Sequence, residues 1–111
     1  MRFCPWYPLA DARDLAPAGE GVLQLRLASG LLDYPRGKSA MVHYAHAVNV
    51  AAAIEAWASA HGEPASARER FVCRHLIEAD PATDLAHFYA KLSDEFVRRF
   101  GVPPSLAPSS R

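Results

Sequence analysis

The chain has 111 residues, of which 50% are apolar or aromatic and 22% charged, with twelve acidic side chains balancing twelve basic ones. That size supports one domain around one hydrophobic core, and that composition excludes a disordered or fibrous chain. A formal charge of zero leaves no global field to gather a polyanion, so a nucleic-acid partner needs a local basic patch.

Residues 1–19 are rich in proline and small residues without sustained periodicity, and read as an extended segment that packs Phe3, Trp6 and Tyr7 onto the domain. Met1 to Leu9 holds one arginine and no apolar run long enough for the core of a secretory signal. No stretch approaches the roughly 18 apolar residues of a membrane span. The expected location is therefore the cytoplasm, where Cys4 and Cys73 stay as thiols.

From Gly21 the pattern alternates: Leu23, Leu25 and Leu27 fall on one side, Gln24 and Arg26 on the other, as in a half-buried antiparallel strand. Ala28 to Lys38, with Gly30, Pro35 and Gly37, reads as a connection. Ser39 to Ala47 supplies a second strand, with Val42 and Tyr44 on one face and Met41, His43 and Ala45 on the other. Asn49 is a helix cap, after which Val50, Ala53, Ile54, Trp57, Ala58 and His61 recur at helical spacing until Gly62 and Pro64. A third strand fits Arg70 to Ala79. Asp80 then caps a second helix with Pro81 at its first position, a buried stripe of Leu85, Phe88, Tyr89, Leu92, Phe96 and Phe100, and Gly101 at its end. The expectation is an α+β domain over residues 20–104, a small three-stranded, mainly antiparallel sheet flanked by two helices in the order β-β-α-β-α. Residues 105–111 form a tail expected to fray.

This order, with Gly21-Val22-Leu23 opening the first strand and His43-Tyr44-Ala45 on the second, resembles the GIY-YIG nuclease domain over roughly residues 20 to 104. In that family the first strand carries Gly-Ile-Tyr and the second Tyr-Ile-Gly. A catalytic arginine follows on the next helix, and a metal-binding glutamate sits on a later one. Residue by residue, Leu23 and His43 stand at the two tyrosine positions, Ala45 at the motif glycine and Ala53 at the arginine, while Tyr89 or Ala86 occupies the glutamate region. Hydrolysis of a phosphodiester in that family needs a bound cation and a guanidinium at the scissile phosphate, and neither supplier is in place. The resemblance implies a degenerate nuclease fold, with no cofactor or metal expected.

The densest polar chemistry lies between Asp33 and His46. Gly37-Lys38-Ser39 is not a phosphate-binding loop, because Leu32 stands where that motif needs glycine and a strand replaces the helix. A looser anion site made by Arg36, Lys38 and backbone amides competes with a solvated basic connection. His43 is the candidate catalytic residue, since a neutral imidazole serves as acid, base or donor near pH 7. Arg36, Lys38, Tyr44 and His46 are the candidate ligand-binding residues. The blander alternatives are a solvent-facing His43 and a Tyr44 with its ring in the core. Cys73 and His75 share a strand face and become zinc ligands with His43 if the strands bring all three together; a satisfied histidine and an inert thiol are the alternative. Arg68, Arg70, Arg74, Arg98 and Arg99 form a basic patch if they converge, diluted by Glu63, Glu69 and Glu78.

Three readings follow. One is a binding or accessory module on nucleic acid or a protein partner. Another is a small enzyme using the former nuclease cleft around His43 on an anionic or polar small molecule. The third is a still-active phosphodiesterase with rearranged residues. The missing arginine and glutamate favour the first over the third, and fold analogy does not choose between the first two.

Overall fold

The computed structural model describes residues 1–62 and 65–108; Glu63, the Pro64 helix stop and residues 109–111 lie outside them. Strand β3 (Gly21–Leu27) is central, pairing antiparallel with β6 (Met41–Ala47) on one side and β7 (Phe71–Glu78) on the other. Leu25, for example, lies opposite His43 on β6 and Cys73 on β7. The fold is α+β, as expected, but the sheet has five strands rather than three. The N-terminal segment contributes β1 (Arg2–Phe3) and β2 (Tyr7–Pro8), both paired with the outer edge of β7. Each is two residues long, too short for a period of two to register in the sequence. A 3-10 turn over Leu9–Asp11 and the one-turn helix α1 (Ala12–Leu15) follow, burying Leu9 and Ala12.

The connection after β3 also carries order. Strands β4 (Leu32–Tyr34) and β5 (Gly37–Ser39) form a small separate hairpin around Pro35 and Arg36, with Gly37 at φ 150°. Helix α2 (Val50–His61) is capped as its sequence dictates: the Asn49 carboxamide oxygen accepts from the Ala52 amide at 2.9 Å. Helix α3 runs from Leu85 to Phe100, four residues shorter at its start than the pattern suggests. Asp80 spends its carboxylate on a local turn, accepting from the Ala82 amide at 2.9 Å, and Asp84 caps the helix instead. At the other end Gly101 takes the left-handed conformation that glycine tolerates, φ 100°, and its amide bonds back to Val97.

The two faces of the sheet are covered unequally. Leu23, Leu25, Leu27, Phe71 and Cys73 meet Val50, Ile54, Trp57 and Ala58 of α2 in one continuous buried cluster. Gly21 belongs to this contact, because a Cβ there would stand 2.8 Å from a Val50 methyl. The opposite face lies beneath α3. It holds Gln24, buried although alternation assigned it to the wet side, and half-buried Arg26. Strand β3 is thus enclosed on both faces. Of the stripe expected on α3, Phe96 is buried; Leu85, Phe88, Tyr89, Leu92 and Phe100 are only partly covered. A bulge where β6 passes Leu25 and Arg26 places Val42 in the α2-side cluster, while Tyr44 meets Phe96 of α3, so the two do not share a face. No helix among the described residues is long and apolar enough to cross a membrane.

Candidate functional site

The residues singled out between Asp33 and His46 are dispersed. Arg36 closes the C-terminus of α3: its guanidinium donates to the Arg98 carbonyl at 2.8 Å and its backbone amide to Phe100 at 3.1 Å. These carbonyls have no partner within the helix, so a donor there has an evident structural use. Lys38 lies 3.6 Å from Asp33 across the β4–β5 hairpin, with both side chains largely in solvent. His46 bonds Glu20 at 2.6 Å. His43 turns to the α2 side, its ring 6.0 Å from Trp57, which in turn stacks on His61 at 4.6 Å. Burial, then the nearby His61, lowers the His43 pKa below its ordinary value. Tyr44 lies on the α3 side, where burial pushes its hydroxyl up to about 12.

Cys73 and His75 share the α2-side face, but β3 separates β7 from His43 on β6. Two strand spacings amount to about 9–10 Å, beyond a shared metal's reach. Among the described residues no three His, Cys, Asp or Glu side chains are grouped to hold a metal ion. The five arginines do not converge either: Arg68 bonds Glu55 of α2, whereas Arg74 faces α3's side of the sheet.

That side brings together residues that sequence analysis left apart. Tyr44, Gln24 and Arg74 form one row across β6, β3 and β7, and Trp6 sits beside its outer end. The Gln24 carboxamide oxygen accepts from Arg74 Nε at 2.7 Å, fixing the guanidinium. Both the Arg74 and Arg26 guanidiniums lie over the Trp6 indole, 4.4 and 4.2 Å from its centre, and Arg74 also lies 4.6 Å from the Phe3 ring centre. Burial, followed by Arg26, lowers the Arg74 pKa. Neither arginine has a carboxylate within ion-pair distance among the described residues. Two like charges are thus gathered on one aromatic ring, where cation–π attraction offsets part of their repulsion and an anion would relieve the rest.

Arg26 was legible as a strand residue facing away from the core, and Arg74 as part of a loose basic set. Trp6 carried no signal for this position, because it reaches the arginines through a strand pairing some 66 residues distant in sequence, Tyr7 with Cys73. No protein-family model matches the chain, and the curated proteins contain no significant match.

Proposed function

We propose that this chain is a GIY-YIG-like domain without nuclease chemistry that binds nucleic acid through the α3-side face of its sheet. The order of its long elements, β3, β6, α2, β7, α3, supports the fold half of this reading. The functional half rests on the Arg26–Trp6–Arg74 stack. Planar guanidiniums take phosphate oxygens two at a time, and the Gln24 bond and the indole hold these two in place before any ligand arrives. Nucleic acid is favoured over a protein partner because the guanidiniums lie against the partly exposed aromatic rings of Phe3 and Trp6, a pairing that suits unpaired bases beside their phosphates. Ala53 in the arginine position and Ala86 or Tyr89 in the glutamate region supply nothing that activates water or stabilises a leaving oxygen.

The test is fluorescence anisotropy of a short labelled single-stranded oligonucleotide. With two phosphates engaged, log affinity should fall against log salt with a slope of about −1.4, and Arg26→Ala or Arg74→Ala should each remove about half of that slope. Added magnesium should leave the oligonucleotide intact. Affinity unchanged in both variants, or magnesium-dependent cleavage abolished by a point change in the chain, contradicts the reading.

A further inference from the structure

At the outer edge of the sheet, where Trp6 separates it from the two arginines, the N-terminal segment folds back on β7. The Cys4 amide donates to the His75 carbonyl at 2.9 Å, and the His75 amide donates to Cys4 Sγ at 3.4 Å. The same sulfur lies 3.6 Å from His75 Nδ1. His75 is 8% exposed. Together with Cys4, Trp6 and Leu15 it lines an open, mostly apolar cavity of 370 Å³. A half-exposed thiol, a ring nitrogen within sulfur hydrogen-bond distance, a backbone donor on the sulfur and an apolar space before it are the components of an activated cysteine.

We propose that Cys4 and His75 form a nucleophile–base pair that captures small apolar electrophiles, of the α,β-unsaturated aldehyde class, as covalent thioether adducts. The Cys4 S–H proton passes to His75 Nδ1, and the sulfur electron pair forms the C–S bond at the β-carbon. The π electrons move to the carbonyl as an enolate, and the imidazolium proton returns to the α-carbon. Nothing is oxidised or reduced, and no group leaves. The other cysteine takes no part: Cys73 is fully buried, and burial pushes its thiol up to about 12.

The titratable and charged groups around the Cys4–His75 pair are Tyr7 from the N-terminal segment, Cys73 on the same strand as His75, and Arg74, which interacts electrostatically with Cys4; the partner of His75 on β3 is Leu23. The Tyr7 hydroxyl, 3.0 Å from Nδ1, shares that nitrogen with the thiol. Burial keeps His75 below its ordinary pKa, hence neutral and able to accept a proton at pH 7.

The experiment follows adduct formation with trans-2-hexenal by intact mass, with peptide mapping and Cys4→Ser as the site control. Cys4 is expected to react at least about tenfold faster than glutathione at pH 7, and His75→Ala to remove that advantage. The wild-type rate should be flat from about pH 6.5 to 8, where an unassisted thiol keeps accelerating toward its own pKa of about 8.5. The wild-type profile decides the matter even if His75→Ala fails to fold. A Cys4 rate no faster than glutathione, or one that climbs through pH 8 like a free thiol, overturns the proposal. Trp6 borders both sites, but the adduct is read at Cys4 and oligonucleotide binding at Arg26 and Arg74, so failure of one reading is distinguishable from failure of the other.

Discussion

The two faces of the sheet divide the labour. Beneath α2, Leu23, Leu25, Phe71 and Cys73 are almost completely removed from water and meet Ile54, Trp57 and Val50 without an intervening charge. Beneath α3, the same strands present Gln24, Tyr44, Arg26 and Arg74, and the helix buries one residue of its stripe, Phe96. The cluster beneath α2 is almost wholly apolar, whereas a face that keeps two guanidiniums half-buried gives up packing for polar contacts. The α2 side is therefore the main folding core, and the α3 side is the face on which the proposed nucleic-acid contact rests.

The contrast breaks most visibly through core truncation. Phe71→Ala removes a ring fully buried and edge-on to Trp57 at 5.0 Å, so unfolding free energy in urea should drop by about 4–5 kcal/mol. Phe96→Ala on the other side empties contacts with Tyr34, Tyr44 and Phe100 beneath a partly covered helix, and should cost about 3 kcal/mol. Equal or reversed losses would mean that the faces are not packed as differently as described. Gly21→Ala should cost about 1–3 kcal/mol through its clash with Val50, and adding Val50→Ala should recover part of that loss relative to the sum of the two single changes.

These expectations also mark where the sequence was readable. The three long strands, the Asn49 cap and the Gly101 stop follow from periodicity and capping chemistry that act within a few residues. Asp80 and Asp84 offer equivalent side chains four residues apart, and no local rule says which becomes the cap and which the turn. The site was hidden for a different reason. Arg26, Arg74 and Trp6 meet through β3–β7 and β2–β7 pairing, and strand partners are set by packing over the whole chain. Polar density along the chain pointed instead to Arg36 and Lys38, which the fold engages at the end of α3 and with Asp33.

Acid gives a subtler test. His43 and His75 both hold folded-state pKa values below the ordinary 6.5, through burial, so the unfolded chain takes up protons first as pH falls. Stability is fully present above about pH 6.5 and declines below it, which should lower the urea midpoint at pH 5 relative to pH 7.5. A midpoint that rises on acidification contradicts the burial of these rings. The smallest expected effect sharpens the comparison from the functional side: His43→Ala should change stability by no more than about 1 kcal/mol, because the ring is half-buried at the rim of the α2-side cluster, and should leave oligonucleotide affinity unchanged, because it does not face the arginines.

The chain's two tryptophans report on different surroundings, Trp6 beneath the arginines at the sheet edge and Trp57 in the α2-side core. Titrating the ¹⁵N-labelled protein with a single-stranded oligonucleotide, and following the two indole N–H resonances assigned with Trp57→Phe, asks directly which face binds. A saturable shift of the Trp6 indole and of the Arg26 and Arg74 Nε–H signals, with Trp57 unmoved, is the predicted result. A shift confined to Trp57, or no shift at low salt at all, would contradict it.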